Sequence, residues 1–187
     1  MLNGAQLRLQ PVTTADAALV AGWFGDSDYM GPFNNVWPTT TEEWQRNLST
    51  RPGGHDSGMF LIVGCGDGEP MGLIGFFGPH AMADFFHGVE IWYQVHPDFR
   101  GQGIASQAAA LLVNHLFGAT PVERIQATVV VGNDASCRVV EAAGLRREGI
   151  LRRITFLHGR YADMYLYSIV RPDWADERTY RAGRRPF

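Results

Sequence analysis

Leu7 to Val12 (LRLQPV) alternates apolar and polar residues, the period-two pattern of a strand with one buried face. Thr13-Thr-Ala-Asp16 then supplies a cap and a first-turn acid for a helix running to about Trp23. Gly25 to Pro38 is rich in Gly, Asn, Asp and Pro and reads as a loop, yet it carries Tyr29, Phe33 and Trp37. Thr40 and Glu43 offer a capping box for a second helix that stops before Pro52, and Arg51 to Gly58 reads as a flexible link. Two apolar runs, Met59 to Cys65 and Met71 to Phe77, flank a hairpin loop at Gly66 to Pro70. A loop around Ala81 to Ala83 leads to a third strand, Gly88 to Val95.

Val95 to Phe117 (VHPDFRGQGIASQAAALLVNHLF) runs from the end of that strand through a polar turn into a helix. The β-branched run RIQATVVV (Arg124 to Val131) predicts another strand. Asn133 to Ala143 predicts a helix capped by Asn133 and closed by Gly144. Leu145 to Leu157 and Tyr161 to Val170 form a final hairpin through His158-Gly159. The order β-α-α-β-β-β-α-β-α-β-β predicts an α/β class of mixed α+β type, a single domain on one mixed sheet, and excludes strict doubly wound alternation. The domain is expected over residues 1–172, with an Arg-rich tail at 173–187.

A chain of 187 residues fits one such domain and buries a real core. No run of about 18 apolar residues predicts a membrane span, and residues 1–10 lack the basic start and apolar core of a signal peptide. Cys65 and Cys137 make neither a disulfide framework nor a Cys-based zinc site, so a cytoplasmic setting is expected. His55, His80 and His87 lack compact metal spacing, and no metal is expected. All 16 basic residues are Arg. Residues 1–145 hold six Arg against fourteen acids, a net of −8; residues 146–187 hold ten against five, a net of +5. That asymmetry fits either an anionic partner or a solvated surface with local ion pairs. Ten dispersed Arg do not by themselves indicate nucleic-acid binding.

The turn Arg100-Gly-Gln-Gly-Ile-Ala105 carries the candidate chemistry. A helix N-terminus presents free backbone N–H groups and partial positive charge. Gly101 and Gly103 remove the Cβ atoms that would hold a phosphate away from the backbone. The turn therefore fits a phosphate or pyrophosphate cradle, or a plain helix start. A dinucleotide fingerprint would place Gly where Ser106 stands, and a nucleoside-triphosphate loop needs a Lys that this chain lacks.

The pattern R-x-x-G-x-A after a strand and V-H-P resembles the acetyl-CoA signature of the Gcn5-related N-acetyltransferase (GNAT) superfamily. It is closest to the subgroup that includes the ribosomal-protein N-terminal acetyltransferases. VEIWYQVHPDFRGQGIASQAA, NDASCRVVEAAGLRREG and HGRYADMYLYSIV carry the resemblance, which covers most of residues 5–170. It implies a mostly antiparallel sheet flanked by helices, in which the strand before the motif splays from its neighbour after a bulge. By resemblance the pantetheine arm of acetyl-CoA lies against Gln94, Val95 and His96. The pyrophosphate lies on the amides of Arg100, Gly101, Gln102, Gly103, Ile104, Ala105 and Ser106. Asn133 reaches the pantetheine or thioester region, or serves as a helix cap.

Acyl transfer to an amine needs a base for the ammonium proton, donors for the oxyanion and a proton donor for the leaving thiolate. Glu90, inside a central strand, is the first base candidate, with a structural ion pair as the alternative. His96 is the second. The helix tyrosine of many relatives is replaced by Val140, and the resemblance assigns the sulfur-side donor to Ser136. Thr155 stands where some relatives place a carboxylate. Asp28, Tyr29, Phe33, Trp37 and Trp92, with Asp26 and Trp44, are expected on the acceptor side, where loop placement favours binding. The expected function is acetyl transfer to a primary amine, on a small molecule or a protein N-terminus. Two alternatives stay open: another acyl donor, including aminoacyl-tRNA read by Arg178, Arg181, Arg184 and Arg185, and a non-catalytic CoA sensor. Monomer and homodimer are both compatible with the sequence.

Overall fold

The computed structural model describes residues 1–4, 6–50, 57–78 and 88–175. The strands are β1 (Leu2–Asn3), β2 (Leu7–Pro11), β3 (Ser57–Gly64), β4 (Pro70–Phe77), β5 (Gly88–Val95), β6 (Arg124–Val130), β7 (Arg146–Leu157) and β8 (Arg160–Val170). They form one sheet in the order β1-β2-β3-β4-β5-β6-β8-β7. Every neighbouring pair is antiparallel except β5 and β6. Parallel neighbours need a crossover, and α4 (Ile104–Ala119) supplies it. The other helices are α1 (Ala17–Gly25), α2 (Ser27–Met30), α3 (Thr41–Ser49) and α5 (Asp134–Ala142).

The helices cover both faces of the sheet. On one face Ala108, Leu112, Val113 and Leu116 of α4 pack with Leu9, Ile62, Ile74, Ile91 and Ile125. On the other, Val20 and Trp23 of α1 and Tyr29 and Met30 of α2 pack with Leu61, Val63 and Leu73. Burial on both faces is why β3 and β4 read as continuous apolar runs. Gly75 has its own packing reason: a Cβ there would lie 2.7 Å from the ring of Trp92.

Local signals place most elements. The Thr40–Glu43 capping box forms as expected, and Asn133 caps α5 by accepting from the Ser136 N–H at 3.1 Å. His158 and Gly159, at φ 48 and 81, make the hairpin turn. Two elements escaped the sequence pattern. β1 has only two residues. α2 is one helical turn inside the expected loop, started by the Asp26 carboxylate accepting from the Asp28 N–H at 2.8 Å. Beyond β8 a helical turn begins at Arg171, and the Trp174 indole donates to Asn114 at 2.8 Å. The start of the expected tail is thus anchored on α4. His55, His80, His87, the loop around Ala81 to Ala83, and Arg178, Arg181, Arg184 and Arg185 lie outside the described residues. Among the described residues no helix is long and apolar enough to cross a membrane.

Candidate active site

β5 and β6 pair for only three residues, Gly88↔Arg124, Val89↔Ile125 and Glu90↔Gln126. β5 continues to Val95 against β4, and β6 continues to Val130 against β8, so a cleft opens between them. β5 keeps its register against β4 without a shift, so the divergence needs no bulge in that pairing. Alternation along an antiparallel ladder fixes which backbone groups face the cleft. The His96 N–H donates to Met71 O on the β4 side, and Gln94 shares that parity. On that parity the Ile91 C=O, both backbone groups of Tyr93 and the Val95 N–H face the cleft, while the Ile91 N–H belongs to the last bridge with β6 and Val95 O accepts from Arg100. Of the residues expected along the pantetheine arm, Gln94 and His96 turn their backbone groups toward β4, and the Val95 N–H turns toward the cleft.

At the end of β5 the chain makes a short 3-10 turn, Pro97–Phe99, and then the glycine turn. Gly101 and Gly103 take φ of 76 and 77, a left-handed conformation that favours glycine. α4 starts without a side-chain cap, and its first backbone bond runs from Gln107 N–H to Gly103 O. The N–H groups of Ile104, Ala105 and Ser106 precede that bond and stand at the positive end of a 16-residue helix. A Cβ on Gly101 would meet nothing within 4 Å, so the approach is open. The turn fits a diphosphate. The Arg100 N–H is held by Pro97 O. Its guanidinium donates to Val95 O at 3.0 Å, to Asp28 O at 3.0 Å and to Tyr29 O. Arg100 therefore clamps α2 to the end of β5 through its side chain.

Midway along the cleft, Tyr93 reaches across to α5. Its hydroxyl lies 2.6 Å from Ser136 Oγ and 3.1 Å from the Ser136 carbonyl oxygen. Burial pushes the Tyr93 hydroxyl up to about 12, against the opposing effect of the Ser136 hydrogen bond. Where the strands still pair, Glu90 accepts from Thr128 Oγ1 at 2.7 Å and from Gln126 Nε2 at 3.1 Å. These partners are neutral, unlike the Arg of the alternative reading as a structural ion pair. Arg124, at the start of β6, is bound to Glu148. That Arg and Ser168 hold the Glu148 carboxyl down at about 2.

A family model described as an acetyltransferase (GNAT) domain matches residues 6–146. The chain belongs to the GNAT acetyltransferase family. YoaA of Bacillus subtilis, an N-acetyltransferase, is 37% identical over 100 residues, 54% of this chain and 56% of YoaA, so the match spans little more than half of that relative. The ribosomal-protein-serine acetyltransferase of Escherichia coli is 29% identical over 138 residues, covering 71% of this chain and 74% of that protein. A spermidine N-acetyltransferase from Vibrio cholerae, solved in complex with CoA and spermine, shares the fold with a TM-score of 0.80 at 17% identity, over 92% of this chain and 99% of that one. Membership carries the activity class, N-acetyl transfer from acetyl-CoA to an amine.

The rest of the GNAT site departs from the sequence expectation in specific ways. The His96 ring packs among Trp23, Tyr29 and Phe99, with centroids 6.0 to 6.2 Å away, and its Nδ1 lies 3.5 Å from Asp98. It stands six strand residues from Glu90, roughly 20 Å along β5, so the two base candidates do not share one reacting atom. Tyr29 is fully buried and stacked on Trp23 at 4.9 Å, a core residue and not an acceptor wall. That burial drives its hydroxyl far above the ordinary phenol range. Asp28 is exposed and contributes its backbone carbonyl to Arg100. Trp92 packs with Phe24, which also touches Trp44. Phe33 is half-buried, and Trp37 is 63% exposed.

Residues 31–37 form a strap over this side. Asn34 donates to Met30 O at 3.0 Å and to Gln94 Oε1 at 3.3 Å. Asn35 donates to Phe156 O at 2.8 Å, and His158 Nε2 lies 3.2 Å from Pro32 O. The strap thus links β5 to the β7–β8 turn, across the strands that diverge. Sequence reasoning missed Tyr93, Gln126 and Thr128, since strand alternation marks them only as ordinary strand positions. Among the described residues no three His, Cys, Asp or Glu converge on a metal-sized site.

Proposed function

We propose that this chain acetylates an α-amino group, as found on a peptide or protein N-terminus, with acetyl-CoA held in the β5–β6 cleft. The observation that carries the reading is the three-residue pairing of β5 with β6, with the glycine turn at the mouth of the cleft that results. The amides of Gly101 to Ser106 hold the diphosphate, and the open edge of Ile91, Tyr93 and Val95 holds the pantetheine arm as an added strand. Bound acetyl-CoA supplies an activated acyl carbon and a thiol leaving group. Ser136 stands on the sulfur side as hydrogen-bond donor. The Asn133 side-chain oxygen is taken by its cap, which leaves its amide N–H₂ to donate into the cleft. Glu90 accepts the proton of the attacking ammonium, directly or through water, while Gln126 and Thr128 hold its carboxylate in place.

The acceptor class follows from the same inventory. An α-amino group has a pKa of about 7.7–8.0 and is partly neutral near pH 7, whereas an alkyl amine near ~10.4 needs far more help from a base. Glu90 stands where β5 and β6 still pair, the Asp26 carboxylate caps α2, and Asp28 is bound through its backbone. The likeness to a ribosomal-protein-serine acetyltransferase supports the peptide class.

The test is release of free CoA thiol with a panel of short peptides, single amino acids, polyamines and bulk tRNA. The parent is compared with Ser106→Glu, which adds a negative charge to the cradle at a helix position where an acid is tolerated. Transfer to free peptide N-termini, blocked by N-terminal acetylation of the peptide and lost in Ser106→Glu, is the expected result. Transfer to polyamines alone, or to none of the amines, would overturn the acceptor assignment.

A further inference from the structure

Tyr93 has no assigned role in the reading above beyond its backbone. Past Glu90, the side-chain hydrogen bonds that cross from β5 to the β6–α5 side among the described residues come from the Tyr93 hydroxyl. It is a side chain on one wall of the cleft reaching the first helical turn on the other. The Ser136 N–H donates to the Asn133 side chain. Ser136 Oγ makes no bond to the preceding turn, so Tyr93 is its partner.

Resting on the acetyltransferase reading, we infer that Tyr93 is a positioning residue for Ser136: its hydroxyl donates to Ser136 Oγ and directs the serine proton into the cleft, toward the leaving sulfur. A hydroxyl has one proton and two lone pairs; we give the Tyr93 proton to Ser136 Oγ, at 2.6 Å, in preference to the Ser136 carbonyl, at 3.1 Å. When Tyr93 fills one lone pair of Oγ, the serine proton is left to point elsewhere, and the open direction is the cleft. When the amine nitrogen bonds to the acyl carbon, the carbon–sulfur bond breaks and its electron pair stays on sulfur. The proton shed by nitrogen ends on sulfur or in solvent. Ser136 stabilises that sulfur by donating to it, and Tyr93 keeps the donation aimed. A phenol pushed up to about 12 stays protonated across the working range and so remains a donor throughout. The replaced helix tyrosine, Val140, is fully buried and offers no competing hydroxyl.

The experiment compares the parent with Tyr93→Phe, Ser136→Ala and the double variant. Tyr93→Phe is expected to lower kcat roughly tenfold, the worth of one hydrogen bond, with KM for acetyl-CoA moving less than about twofold. The double variant should be no worse than Ser136→Ala, because the two residues act as one unit. A second readout needs no turnover. CoA and desulfo-CoA are titrated by calorimetry at about pH 7 and about pH 9.5, on either side of an ordinary thiol pKa of ~8.5. The parent should bind CoA several-fold tighter at the higher pH, relative to desulfo-CoA, because the thiolate accepts from Ser136. That gain should disappear in both Tyr93→Phe and Ser136→Ala. Retention of the gain in Tyr93→Phe, its absence in the parent, or unchanged or raised kcat in Tyr93→Phe would overturn the inference. No CoA binding by the parent at either pH would instead overturn the acetyltransferase site itself.

Discussion

The two sides of the cleft are built by different means. On the cofactor side the groups that matter are backbone amides, shaped by Gly101 and Gly103 and aligned by α4. On the acceptor side they are side chains drawn from distant segments: Asn35 to Phe156, Pro32 to His158, Asn34 to Gln94. A backbone site is set by residues within one turn of each other. A side-chain site is set by contacts 60 to 126 residues apart, and no local pattern encodes it.

The sharpest probe of the acceptor side is Glu90→Gln. Glutamine keeps the size of the side chain between Gln126 and Thr128 but cannot take a proton, so kcat/KM should fall by roughly 10²–10⁴. The loss should be greatest at low pH, where the amine is most protonated, and CoA affinity should not change. An unaltered pH–rate profile would assign the base elsewhere. Next in size is Arg100→Ala, which tests where the two sides join. Three carbonyl partners lose a charged donor, so thermal unfolding should report a loss of about 2 kcal/mol. CoA affinity, measured well below the midpoint, should change only a few-fold. Unchanged stability with a collapse of CoA binding would place the Arg100 side chain at the phosphate instead. The smallest effect is expected from Asn35→Ala, which releases one end of the strap. KM for the acceptor should rise a few-fold with acetyl-CoA KM and stability nearly constant, a cost under about 1 kcal/mol for one exposed hydrogen bond. An equal rise in both KM values would mean that the strap supports the whole cleft.

Legibility in the sequence follows the same division. The Thr40 and Asn133 caps, the hairpin turn at His158-Gly159 and the glycine turn were readable because each is a local event. The GNAT resemblance was readable for the same reason, since its signature is the glycine turn and its flanks. α2 was hidden because four residues carry no periodicity, and the Asp26 cap that starts it looks like ordinary loop chemistry. Tyr29 looked like a loop aromatic facing a ligand; α2 turns it into the core against Trp23. The Arg100 clamp was hidden because its carbonyl partners at Asp28 and Tyr29 lie more than 70 residues upstream. Tyr93 gave no signal at all. On a strand it is one more half-buried aromatic, and only the three-residue pairing of β5 with β6 exposes it to the cleft.

The central claim is that acetyl-CoA sits with its diphosphate on the α4 N-terminus. Calorimetric titration of acetyl-CoA into the parent and into Ser106→Glu, with unfolding midpoints measured alongside, tests it most directly. The account predicts binding by the parent, a loss of at least about 100-fold in Ser106→Glu, equivalent to about 2.7 kcal/mol, and an unchanged midpoint without ligand. Equal affinity in the two proteins would contradict it, and the diphosphate would then have to lie away from the glycine turn.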